Sequence, residues 1–90
     1  MKEAEILASL EDIVQKLGIE LRYDKGDFQG GLCRVGDRQI FLLNSRLLPS
    51  QKIQILAREL SRCNLANVYI IPAVRSLIEQ YASAQSRTEA

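Results

Sequence analysis

The chain predicts an α+β domain: an N-terminal helix, a small three-stranded, mainly antiparallel sheet, and two C-terminal helices. Three observations carry this reading. Apolar residues at helical spacing open the chain, alternating runs broken by glycine turns fill its middle, and two amphipathic stretches, each beginning near a proline, close it.

The elements follow in order. Ile6, Leu7, Leu10, Ile13, Val14 and Leu17 form one apolar stripe, with Glu3, Glu11, Asp12 and Lys16 off it, and Gly18 stands where a helix stops. Ile19, Leu21 and Tyr23 alternate with Glu20, Arg22 and Asp24, the period of a half-buried strand. A turn-rich stretch from Lys25 to Gly31 breaks that strand. Leu32 to Val35 and Arg38 to Leu43 flank Gly36-Asp37, a tight hairpin turn that needs positive φ. The second arm is almost continuously apolar, which predicts a strand covered on both faces. Pro49 and Ser50 mark the start of a second helix, expected to run to about Arg62 with Ile53, Leu56, Ala57 and Leu60 inward. Residues 64–71 fit no single pattern. Pro72 opens or limits a third helical stretch carrying Val74, Leu77, Ile78, Tyr81 and Ala82. One domain over 1–82 is expected, with a polar, fraying tail over 83–90.

Composition narrows the function classes. An apolar fraction of 47% and a charged fraction of 26% suit a folded globular chain. No apolar run is long enough for a membrane span, and the acidic N-terminus has no apolar secretory core, so a cytoplasmic location is expected. A net charge of +1 argues against strong general attraction to nucleic acid. The distribution is uneven: residues 1–30 hold seven acids against four bases, and residues 31–90 four against eight. Cys33 and Cys63 sit in apolar patterns, at no metal-ligand spacing, and read as small hydrophobes. With no histidine, a Ser-His-Asp or Cys-His nucleophile is impossible. The glycines at 26, 30 and 31 match no phosphate-loop spacing.

From Gly30 to Arg62 the chain runs through a glycine pair, a hairpin, Ile40-Phe41-Leu42-Leu43-Asn44-Ser45, and then Leu56-Ala57-Arg58-Glu59-Leu60-Ser61-Arg62. With the preceding helix and strand, this order resembles the small zinc metallopeptidases of the ImmA/IrrE type. In that family a strand ends near an asparagine and a following helix carries His-Glu-Leu-x-His. The resemblance covers about the first two-thirds of the chain and implies a minimal zincin-like fold. Its metal motif needs histidines at i and i+4, where this sequence has Arg58 and Arg62. A guanidinium stays protonated and repels a divalent cation. Glu59 matches the family's general base but would have no metal-bound water to act on. The resemblance thus implies a fold without metal, cofactor or catalytic residues.

Two uses of Arg58, Glu59 and Arg62 stay open: a solvated helix face with an i,i+3 ion pair, or a pair of guanidiniums holding a carboxylate or phosphate. The preferred function is a protein-interaction or regulatory module. The alternatives are an unconventional hydrolase around Glu59 and a weak nucleic-acid or anion binder using the arginines. The apolar segment Leu65 to Pro72 is either a buried connection or a homodimer surface.

Overall fold

The first apolar stripe folds as helix α1 (Glu3–Lys16), which buries Leu10, Ile13 and Val14. The computed structural model describes residues 2–28 and 30–89, with side chains as far as Ala82. Glu3 and Glu5 in the first turn and Lys16 in the last complement the helix dipole. Gly18, at φ +78°, ends the helix. Its N–H donates to Gln15 O (2.9 Å) and the next N–H, of Ile19, to Val14 O (3.2 Å), the paired closure of a Schellman motif. Ile19 is thereby turned into the core at 5% exposure.

Three strands follow: β1 (Glu20–Asp24), β2 (Gly30–Val35) and β3 (Arg38–Asn44). The Gly36-Asp37 hairpin forms as expected, with Gly36 at φ +62° and no positive φ at Asp37, the glycine-first pattern of a type II′ turn. The sheet is mixed, however, in the order β1-β3-β2. β2 runs antiparallel to β3, but β1 lies parallel to β3, from Glu20 beside Ile40 to Asp24 beside Asn44. The expected α+β order of helix, three-stranded sheet and two helices is present, with the hairpin antiparallel and β1 added in parallel. The chain leaving β1 does not fold back on β1. It crosses the C-terminal end of β3 and enters the sheet at the far edge.

Asn44 explains why that crossing is stable. It is the buried polar residue among the described residues, 7% exposed, at the end of β3 beneath the crossing segment. Its Nδ2 donates to Gly26 O (2.7 Å) and Phe28 O (2.6 Å), and its Oδ1 accepts from Arg46 N (3.0 Å). One side chain therefore satisfies two carbonyls of the crossing and one amide of the exit turn. Ser45 N donates to Asp24 O (2.8 Å), continuing the β1 pairing one step past the strand.

Helix α2 (Pro49–Leu60) starts with Pro49 at its first position, and the Leu48 N–H before it is accepted by Gln51 Oε1 (2.9 Å). Ser50 lies inside the helix and is not its cap. The helix ends at Leu60, short of Arg62. Ser61 Oγ donates to Arg58 O (2.6 Å), and the amides of Arg62 and Cys63 donate to carbonyls three residues back, tightening the chain out of α-helical pitch. Helix α3 (Pro72–Glu89) continues past Ala82, the last residue of its apolar pattern.

α1 packs on β1 and α2 on β2, and α3 packs against these two helices. α2 is central, against α1, α3 and β2, and buries Ile53, Ile55, Leu56, Ala57 and Leu60. From the sheet come Phe41 and Leu43, and from α3 come Val74 and Ile78. The segment between α2 and α3 sends Ile70 into this core at 5% exposure and leaves Tyr69 outside at 75%. β3 is covered on one face only, contrary to the expectation of two. Phe41 and Leu43 are buried, while Ile40 and Leu42 on the other face are half-buried. No helix among the described residues is long and apolar enough to cross a membrane.

Tyr23 ties the sheet to both neighbouring helices. Its hydroxyl donates to the Glu11 carboxylate of α1, and the Lys52 ammonium of α2 stands 5.1 Å from its ring centroid. Burial, reinforced by Glu11, pushes the Tyr23 hydroxyl well above the ordinary phenol value, so it remains a donor. Its contribution is present below the unfolded phenol value and is lost as pH rises toward the higher folded one. Tyr23→Phe is expected to lose about 1 kcal/mol at neutral pH, a modest sum because the residue is 40% exposed. It should also flatten the alkaline limb of stability. Urea midpoints at pH 7 and above pH 10 check both, and an unchanged alkaline limb contradicts the assignment.

Candidate functional site

The residues Arg58, Glu59 and Arg62 stand at the C-terminal end of α2 and in the turn after it. Successive helix positions differ by about 100°, so neighbours in sequence look in different directions, and the structure separates them accordingly. Glu59 turns toward β2. Its side chain is 21% exposed, and its Oε1 lies 4.0 Å from where a Cβ on Gly31 would stand. A Cβ at position 31 would thus stand in ordinary van der Waals contact with this carboxylate. Arg62 lies beyond the helix, 60% exposed, with Nη1 4.0 Å from Glu59 Oε2. At that separation and exposure the pair contributes only a few tenths of a kcal/mol.

Cys63 completes this corner. Its Sγ donates to Glu59 O at 3.5 Å. Burial, then the Glu59 charge, pushes its thiol above the ordinary value, the direction that keeps it protonated and poorly nucleophilic. Cys33, on β2, is exposed. Both cysteines are free.

Arg58 faces elsewhere. It lines a groove of about 260 Å³ with Leu47, Gln51, Gln54 and Ile55, along the outward ridge of α2. Two amides and a guanidinium thus stand beside half-buried Leu47, with buried Ile55 beneath them. Gln51 and Gln54 are the site residues that sequence reasoning missed. Their spacing from Arg58, one and two turns along one ridge, is the signal that would have found them. The two arginines therefore do not converge with Glu59 on one point. Glu59 and Arg62 pair at the β2 side, and Arg58 serves the groove.

Chemically, the groove offers hydrogen-bond donors and acceptors from the glutamines, one fixed positive charge, and an apolar wall. That set can hold a carboxylate or a main-chain amide beside an aliphatic group. The carbonyl end of α2 carries partial negative charge, which Arg58 in the last turn offsets. An anion bound here thus depends on the guanidinium itself, with no help from the helix. Among the described residues, no three histidine, cysteine, aspartate or glutamate side chains form a group able to hold a metal ion. In comparisons with known proteins, no family model matches the chain, and no curated protein or solved structure is significantly similar to it.

Proposed function

We propose that this chain is a non-catalytic interaction or regulatory module of the cytoplasm that binds an acidic segment of a protein partner along the α2 groove. The observation that carries the reading is the groove at Arg58: a guanidinium and two glutamine amides beside Leu47 and Ile55. Such a surface suits a short acidic-aliphatic peptide better than a bare phosphate, because it offers one positive charge and an apolar flank.

The helix-and-sheet layout, with Arg58-Glu59-Leu60 ending the helix beside β2 and Arg62 in the turn after it, supports the resemblance to ImmA/IrrE-type metallopeptidases in fold order. In this reading the metal chemistry has been lost: arginines occupy the two ligand positions, and Glu59 is paired with Arg62. The Cys63 thiol beside it is held toward its neutral form.

The test is a nuclear magnetic resonance titration with the blocked peptide acetyl-Leu-Glu-Leu-Asp-amide, and with inorganic phosphate in parallel. Peptide-dependent shifts at Gln51, Gln54 and Arg58 are expected, with at least a ~10-fold weakening in Arg58→Ala, the loss of about 1.4 kcal/mol for one charge-assisted contact. Arg62→Ala should change affinity less than ~3-fold. No shifts at millimolar peptide, or shifts that Arg58→Ala leaves in place, overturn the groove. Cleavage of peptides that disappears in Glu59→Gln would overturn the non-catalytic reading.

A further inference from the structure

The uncovered face of the sheet poses a separate question. On the side away from the helices, β3 presents Ile40 and Leu42, and β2 presents Cys33 and Val35 in register with Ile40 and Arg38. With Arg22 these residues line a shallow depression of about 420 Å³. Val35 is 61% exposed, and no element among the described residues covers the patch. A sheet face meant for water carries polar residues at alternate positions. β3 does not follow that rule: Ile40 and Leu42 stand there half-buried, with exposed Val35 beside them.

The rim says what covers the patch. The outward positions of β1 are Glu20, Arg22 and Asp24, a row of alternating sign, and Arg38 at the start of β3 bonds Glu20 together with Arg22. Arg22 in particular, with Arg38, holds the Glu20 carboxyl below its ordinary value. A rim of mixed sign attracts neither a polyanion nor a strongly acidic segment. It does complement itself: when a two-fold axis lays one copy's face on another's, each acid can meet a base. With a net charge of +1 per chain, long-range repulsion between copies is slight.

We infer that this face is a homodimer interface, in which a second copy of the chain stacks its own outer sheet face on Ile40, Leu42, Val35 and Cys33. Three short strands give a footprint of roughly 300 Å² per copy, well under the ~800 Å² per partner of a stable complex. The dimer is accordingly weak and concentration-dependent. This face is distinct from the segment Leu65 to Pro72, which sends Ile70 into the core and leaves Tyr69 exposed. It is also independent of the α2 groove.

Sedimentation equilibrium of the full chain from ~10 μM to ~1 mM tests it, with maleimide labelling of the thiols at both ends of the range. The mass should rise from one copy to two, and Cys33 labelling should slow at least ~5-fold relative to half-buried Cys63. Leu42→Arg should move the midpoint more than ~10-fold upward. Val35→Arg, at a position already open to water, should do the same without risk to folding. Tyr69→Arg and Arg58→Ala should leave the midpoint within ~2-fold. A single-copy mass up to ~1 mM, a mass running beyond two copies, or a dimer that persists in Val35→Arg overturns the interface.

Discussion

Asn44→Asp is expected to lose about 3–5 kcal/mol at neutral pH, a large share of the stability of a domain this size. The substitution keeps the size of the side chain and the oxygen that accepts from Arg46 N. It replaces the Nδ2 that donates to Gly26 O and Phe28 O with a carboxylate oxygen facing those same two carbonyls. Two acceptors lose their donor and a charge is introduced at a site 7% exposed. The sign of the pH dependence follows. Burial and facing carbonyls raise the folded-state value of the new aspartate, so the protonated form is the one folding favours. Its deficit therefore shrinks as pH falls toward the ordinary aspartate value, about 3.9. Asn44→Ala, which removes donor and acceptor without adding charge, should cost less and show no such recovery. Urea midpoints of both variants at pH 7.5 and pH 5 check this. Equal losses at both pH values in Asn44→Asp would contradict the buried network.

Gly30→Ala should rank next, at about 3 kcal/mol. Gly30 opens β2 at φ +129°, a conformation that side chains rarely adopt. A Cβ there would stand 2.4 Å from Leu42 O and 3.1 Å from Leu43 Cα, backbone atoms of the central strand that cannot yield cheaply. The comparison is Gly18→Ala. Gly18 also has positive φ, at +78°, but an added Cβ meets nothing within 4 Å. That variant should lose only the conformational term, about 1 kcal/mol. Thermal unfolding of the two variants separates strain from collision. If they lose the same amount, the close approach of β2 to β3 at Gly30 is wrong.

Much of the fold is legible in local patterns. The stripe from Ile6 to Leu17 places Leu10, Ile13 and Val14 in the core, and Gly18 closes the helix through a glycine-specific motif. The Gly36-Asp37 turn likewise settles the β2–β3 register within a few residues. The position of β1 is different in kind. Nothing near Glu20–Asp24 says whether it pairs with the next strand or the one after. The decision rests on whether the segment after Asp24 can cross β3, and on Asn44, far along the chain, to hold it there. Periodicity also misled on β3, because its apolar run predicts two covered faces, whereas Phe41 and Leu43 are buried and Ile40 and Leu42 only half-buried. At the candidate site, three residues close in sequence were read as one cluster. Helical pitch turns Glu59 toward Gly31 and Arg58 toward Gln51 and Gln54, and the Ser61 turn carries Arg62 off the helix.

The sheet order also carries a consequence for the sequence of folding events. The β2–β3 hairpin closes across a two-residue turn, an event on the scale of ~1–10 μs. β1 must find β3 between partners as distant as Glu20 and Ile40, and so docks as a latecomer on a ribbon already formed. The grip of Asn44 on Gly26 and Phe28 needs both strands in place, so it is expected to form last. Substitutions there are expected to act mainly on the rate of unfolding, so that the latch sets how long the native chain stays closed, which the unfolding limb of an Asn44→Ala chevron checks.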